Sequence, residues 1–349
     1  MLKSKYKLTN KIVSNLTKIV EAKVIIEQAK ILPAQELNLR RQALIRMTQS
    51  STAIEGNILN IKQVEDILWG RKVDAPLRDI YEVKNYLRAI KYIEKFVKEK
   101  KQISRHLILA IHRLVTDKTL PKTQCGYYRK SKIYIVRRKL GVPDEIIYTG
   151  PPANNVPDLI EGLISWIKKS QKQNIHPIIV AGIVHRELAA IHPFSDGNGR
   201  TARALATFIL YQRNFDLRGL FALEDYYNKD RPAYYKAINI GRKYSQMDFT
   251  KWLEYFIKGF RAEIELVKEK VLSLAVIKAS KQMTKQIQLT KRQIKVIDFI
   301  NTIGKITVGD AVDVLGCPKR TAQLELQKLK KLKIIKQIGK GPAAAYILL

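Results

Sequence analysis

"IHPFSDGNGRTAR", Ile191 to Arg203, gathers a histidine, an aspartate, two glycines around an asparagine and two arginines three apart into thirteen residues. Its flanks say what it joins. Upstream, "HPIIVAGIVHRELAAI" reads as a buried helix that ends at His192-Pro193, because proline disfavours helical geometry in the residue before it. Downstream, "GRTARALATFILYQRN" starts a second helix near Gly199. Between them Gly197 and Gly199 let the backbone turn tightly and bring its N–H groups to a helix N-terminus, which is a ready anion site.

The side chains around that site suit phosphate chemistry. Arg200 and Arg203 point in similar directions from the first turn of the helix, where positive charge works against the macrodipole, so an anionic partner is the expected reason for them. Diphosphate or triphosphate fits such a pair of guanidinium forks. Asp196 offers the hard oxygen that Mg²⁺ prefers. Asn198 either holds a phosphate oxygen or braces the loop. His192 takes a proton from a hydroxyl at neutral pH. Together these groups predict phosphoryl or nucleotidyl transfer, without the Gly-x-x-x-x-Gly-Lys-Ser/Thr of a Walker loop.

Around this centre the 349 residues, 46% hydrophobic, are enough for two or three packed domains and too apolar for a disordered chain. No apolar run approaches the roughly 18 residues of a membrane helix, and the lysine-rich start lacks a signal-peptide core, so a cytoplasmic location with no membrane partner is expected. Two cysteines, Cys125 and Cys317, give neither a disulfide framework nor a zinc site. His185 and His192 are seven apart on one helical face but lack a third metal ligand nearby; His106, His112 and His176 read as core or surface residues. The net charge of +33 favours polyanions, though a chain-wide lysine bias gives the same number.

Apolar spacing and Gly, Pro or Asn stops predict helices over about 37–56, 61–70, 79–99, 103–117, 156–172, 177–191, 199–213, 231–243 and 248–275. The exception is "KIYIVRRKLG" and "DEIIYTGPP", two β-rich runs around a Gly-Val-Pro turn, hence a hairpin within about 130–152. From Lys291 the order is helix, short helix near Val308, turn at Gly316 to Pro318, helix from Lys319, and two strands around Gly339 to Pro342. That is the order of a winged helix-turn-helix. Residues 281–349 hold fourteen Lys or Arg against four Asp or Glu, which admits DNA or a protein as partner. The expected division is 1–100, 101–275 and 281–349.

"HPFSDGNGRTAR" resembles the signature of the Fic family, His-x-Phe-x-Asp/Glu-Gly-Asn-Gly-Arg-x-x-Arg, at every defined position from His192 to Arg203. The likeness extends through the "HP…AGIVHREL" helix, the hairpin, "GYYR" at Gly126 to Arg129 and "YY" at Tyr234 and Tyr235. It implies a helical bundle with a β-hairpin flap, ATP and Mg²⁺, and transfer of AMP to a Ser, Thr or Tyr hydroxyl of a target protein. By that resemblance His192 is the base and Asp196 the Mg²⁺ ligand. Gly197, Asn198 and Gly199 form the anion hole, while Arg200 and Arg203 take the β- and γ-phosphates. Phe194 anchors the loop, and Tyr235, with or without Tyr234, borders the adenine. Ile146, Ile147, Tyr148 and Thr149 present the flap edge to the target.

"SSTAIEGN" resembles the family's N-terminal inhibitory helix, with Ser51 and Glu55 four apart on one face. Glu55 pairing with Arg203 would exclude the γ-phosphate, and in some relatives the same glutamate serves removal of AMP. A homodimer is a further expectation. The alternative reading is a regulator that senses nucleotide in this core and binds DNA through residues 281–349.

Overall fold

The computed structural model describes residues 5–139, 142–239, 248–280, 289–339 and 344–349. The first part is α1 (Asn10–Gln28), α2 (Pro33–Ile54), α3 (Ile61–Leu68), α4 (Leu77–Lys98), α5 (Arg105–Thr116), the antiparallel hairpin β1 (Tyr134–Lys139) and β2 (Val142–Thr149), then α6 (Val156–Lys172), α7 (Pro177–Ile191), α8 (Asn198–Gln212), α9 (Glu224–Lys229), α10 (Arg231–Ile238) and α11 (Thr250–Ser280). The second is α12 (Lys291–Ile303), β3 (Ile306–Thr307), α13 (Val308–Leu315), α14 (Lys319–Lys331), β4 (Ile335–Ile338) and β5 (Ala345–Leu348), with strand order β3-β5-β4. The protein is mainly α, as the sequence predicts. Among the described residues no helix is long and apolar enough to cross a membrane.

α7 and α8 are the axis of the bundle. Nearly every side chain of both is buried, the polar His185, Arg186 and Glu187 of α7 and Arg200 and Arg203 of α8 among them. α7 starts with Pro177 at its first position, where the missing N–H costs nothing. It meets α11 at Gly182, where any Cβ would lie 2.9 Å from Leu253 and 3.0 Å from Phe256; the Trp252 indole donates to the Gly182 carbonyl across this contact at 2.7 Å. α4 and α5 pack on α8, and α6 on α7.

α2 also begins on a proline, Pro33, and stops where Gly56 enters the left-handed region at φ 98°. Its last two turns, Thr48 to Ile54, are buried against the bundle apart from the half-buried Gln49. Its start, through Ala34 and Leu37, packs on a second apolar cluster formed by Val296, Ile297, Ile300, Leu326, Leu329 and Leu348. Three elements were not read from the sequence: α1, the six-residue α9 and the two-residue β3. The predicted helix over 231–243 is seen to Ile238, and residues 240–247 lie outside the described ones.

Candidate active site

α7 delivers His192 and α8 receives the chain six residues later. The His192 backbone is left-handed, φ 48° and ψ 60°, a conformation costing a non-glycine residue about 1 kcal/mol and held here by its neighbours. Its N–H donates to the Leu188 carbonyl at 3.0 Å. Arg129 fixes it from the other side: Nε donates to the His192 carbonyl at 2.8 Å, Nη2 to Pro151 at 2.5 Å, Nη1 to Ser131 at 2.7 Å, and the Arg129 N–H to Pro193 at 2.9 Å. One guanidinium thus joins the loop to the base of the hairpin. The His192 ring sets Nδ1 at 3.1 Å from the Ala189 carbonyl. A carbonyl only accepts, so Nδ1 carries the hydrogen and Nε2 keeps a lone pair. Burial pushes this imidazole below its ordinary pKa, so the neutral form prevails at pH 7.

Beneath the loop, Phe194 is fully buried and its ring lies flat on His112, centroids 3.6 Å apart. His112 Nδ1 accepts from the Gly126 N–H at 2.9 Å, so its hydrogen sits on Nε2 and is donated to the Asp196 carbonyl at 3.0 Å. Burial pushes His112 down to about 4, which keeps this arrangement neutral. Asn198 braces the loop: its Oδ1 accepts from the Phe194 N–H and one Nδ2 hydrogen is donated to the Phe194 carbonyl, both at 2.9 Å. Gly197 is obligatory twice over: φ is 75°, and a Cβ would lie 2.6 Å from Thr116.

At the α8 N-terminus both arginines are buried, with side chains 1% exposed. Arg203 donates from Nε to Ser51 Oγ at 2.9 Å and from Nη2 to the Ser51 carbonyl at 2.8 Å and Glu55 Oε1 at 2.9 Å. Burial disfavours its charge, but the Glu55 carboxylate more than offsets this and holds its pKa above the ordinary value. Its Nη1 has no hydrogen-bond partner among the described residues. Glu55 Oε1 occupies the space over Gly199: a Cβ there would fall 2.1 Å from it. Arg200 faces Glu82 Oε1 at 3.1 Å and Asp196 Oδ1 at 3.7 Å. Asp196 also takes the Gly197 N–H at 2.6 Å and Arg78 Nη2 at 3.2 Å.

Ser51, Glu55, Gly199 and Arg203 are therefore one cluster. Tyr235 borders it: half-exposed, its hydroxyl donates to the Ile54 carbonyl at 2.7 Å. Tyr234 does not share that position. It is buried, with its hydroxyl 3.0 Å from His185 Nε2 and its ring stacked on Tyr227 at 4.6 Å, and so belongs to the core. In the hairpin, Ile146 pairs with Val136 and Tyr134 with Thr149. The Tyr148 side chain points inward, donating to the Ala190 carbonyl at 2.7 Å, while Thr149 is exposed. The side chains of Ile146 and Ile147 lie outside the described ones. Local sequence carries no signal that marks His112, Arg78 or Glu82 as site residues, whereas Arg129 lies in the GYYR motif.

A helical bundle carrying this loop at the α7–α8 junction is the Fic architecture. Residues 102–210 match the Fic/DOC family profile. The chain is 29% identical over 202 residues to protein adenylyltransferase Fic of Drosophila grimshawi, covering 57% of this chain and 38% of that protein. It is 30% identical over 192 residues to protein adenylyltransferase Fic of Nematostella vectensis, covering 53% and 42%. The chain thus spans about two fifths of the length of these curated relatives. A Fic family protein from Desulfovibrio desulfuricans G20 superposes with a TM-score of 0.64 at 26% identity, over 100% of this chain and 98% of that one. The chain therefore carries a Fic domain over residues 102–210.

Proposed function

We propose that the protein is a protein adenylyltransferase, held inactive at rest by Glu55. The observation that carries this reading is the Glu55 carboxylate, which lies over Gly199 and 2.9 Å from Arg203, an anion in the cradle that a nucleotide phosphate would use. His192 Nε2, unprotonated in the tautomer set by Ala189, takes the proton of a target Ser, Thr or Tyr hydroxyl. The hydroxyl oxygen forms a bond to the α-phosphorus of ATP as the bond to the bridging oxygen breaks and pyrophosphate leaves. The Asn198 and Gly199 N–H groups at the start of α8 face the developing phosphate charge. Arg200 and Arg203 take the β- and γ-phosphates, Tyr235 edges the adenine, and the Ile146–Thr149 edge of β2 aligns the target segment.

The donor chemistry at Asp196 suits Mg²⁺ rather than zinc: its hard, part-exposed carboxylate belongs to no group of three His, Cys, Asp or Glu that could hold a metal among the described residues, so phosphate oxygens and water would complete the shell. When bound, the ion would supply positive charge at the phosphates; Asp196 would hold it on giving up Arg78.

Glu55→Gly removes the competing carboxylate. The chain should then label itself or a target with AMP about 10- to 150-fold faster, the equivalent of one charge-assisted bond of about 1.5–3 kcal/mol. Intact-protein mass spectrometry after incubation with ATP and Mg²⁺ reads the result, with His192→Ala in the same background returning it to zero. Absence of an AMP mass gain in Glu55→Gly would overturn the assignment.

One observation favours a second, compatible activity. Residues 291–348 have the element order of a winged helix-turn-helix, and the would-be reader helix α14 leaves Arg320, Gln323, Gln327 and Lys331 exposed at helical spacing. Arg and Gln are the side chains that read guanine and adenine edges, so duplex DNA is the partner this face suits.

A further inference from the structure

Arg200 does not wait empty for a phosphate. Its guanidinium is buried beside Glu82, itself 4% exposed, and the pair is 3.1 Å apart. Nε and Nη1 of Arg200 have no well-formed hydrogen bond among the described residues, so donor capacity remains on a charge that burial makes costly. Glu82 reaches in two further directions. Its Oε1 faces Arg78 Nε at 3.3 Å, the same arginine whose Nη2 holds Asp196. Its Oε2 accepts from Asn57 Nδ2 at 3.0 Å. Asn57 stands two residues after Glu55, donates also to the Asp79 carbonyl at 3.0 Å, and accepts from the Leu59 N–H at 3.1 Å.

We propose that Glu82 is a positioning residue that competes with the β-phosphate of the nucleotide for Arg200, as Glu55 competes with the γ-phosphate for Arg203, and that Asn57 ties the two carboxylates together. The inference rests on the reading of Arg200 as a phosphate ligand. Both arginines then carry an internal counterion in the resting chain, and a diphosphate must displace or share the second. Removing the Glu82 charge leaves the buried Arg200 with only the more distant Asp196, 3.7 Å away, until a β-phosphate arrives. The free protein loses stability while the diphosphate complex gains affinity. AMP has no phosphate that reaches Arg200 and is indifferent to the change.

The test compares Glu55→Gly with Glu55→Gly/Glu82→Gln by calorimetric titration of ADP and AMP. AMP transfer by Glu55→Gly from ATP first establishes the parent reading; its failure would sink that reading rather than this one. With transfer present, the expected result is ADP binding about tenfold tighter in the double variant, with AMP affinity within about twofold. Equal shifts for ADP and AMP, or no gain for ADP, would overturn the proposal. If Glu82→Gln does not fold, Glu82→Asp keeps the charge but withdraws it by one methylene. It should tighten ADP by a smaller factor and again leave AMP unchanged; ADP affinity equal to the parent's counts against the idea.

Discussion

Arg203 has five N–H donors, and in the resting chain Ser51 and Glu55 engage those on Nε and Nη2, while Nη1 stays buried and unpartnered. A group so enclosed depends on its acidic neighbours, and Glu55 is not the only one. Glu224, at the start of α9, is 3% exposed, accepts the Tyr86 hydroxyl at 3.0 Å, and feels Arg203 electrostatically. Burial outweighs these favourable contacts and pushes its carboxyl up to about 7. In the unfolded chain a glutamate titrates near 4.3. Between those values the folded chain binds more protons, so this group's contribution is fully present below the lower value and is lost as pH rises through about 7. Glu224→Gln removes the titration. Unfolding free energies from denaturant titrations at pH 5 and pH 8 should therefore differ less in the variant than in the parent, by up to about 3 kcal/mol at one pKa unit per 1.36 kcal/mol. An unchanged difference between the two pH values would show that Glu224 is not the group responsible. None of this was legible in the sequence, where Glu224 and Glu82 are two glutamates among many and their partners lie far along the chain.

At the scale of elements, what could be read was what local rules fix. Pro177 and the His192-Pro193 step bounded α7, Gly56 closed α2, and the loop placed both ends of the α7–α8 junction. α1 escaped because its pattern is blurred. Ile12, Ile19, Ala22 and Ile26 form the buried stripe, but Val13, Val20, Val24 and Ile25 face outward and dilute the contrast between faces. β3 is too short to carry a period at all. The candidate site was legible as a list of residues, since the signature is contiguous, yet not as an arrangement: that Asn198 braces Phe194, or that His112 lies flat beneath it, depends on α5 packing against α8. α14 is the element on which the sequence left most open. Its buried side carries Ala322, Leu326 and Leu329, and its outer side is basic and amide-bearing. If that side reads DNA, a labelled duplex should be retarded at low salt and released steeply as salt rises. Arg320→Ala/Lys331→Ala should flatten the slope by about two counterions. A slope equal to the parent's would assign the binding to the general positive charge of the chain.

For the molecule as a whole, the helix that carries Ser51 and ends at Glu55 joins the bundle core to the C-terminal apolar cluster. The C-terminal half of α2 is buried in the bundle, whereas Ala34 and Leu37 pack against the cluster around Leu326 and Leu348. Arg41 strengthens the second contact. It donates to the Leu348 carbonyl at 3.2 Å and sits 5.0 Å from the ring of Trp69, the residue that closes α3. Nearby, Gly304 at the end of α12 comes close enough to the Leu68 carbonyl that a Cβ would lie 2.9 Å from it. The contacts on α2 are made by β5 and those on α3 by the end of α12, while the exposed face of α14 is not part of either. A shared helix makes unfolding of one core felt by the other, so the intact chain should melt in a single calorimetric transition. Leu37→Asp places a carboxylate against the C-terminal cluster at a half-buried position, where losing the apolar contact and crowding the charge costs about 1–3 kcal/mol. The expected thermogram splits, with residues 291–349 melting first and limited proteolysis releasing that segment before the bundle is cut. A single transition, shifted but undivided, would mean that the two cores are joined by more than this face of α2.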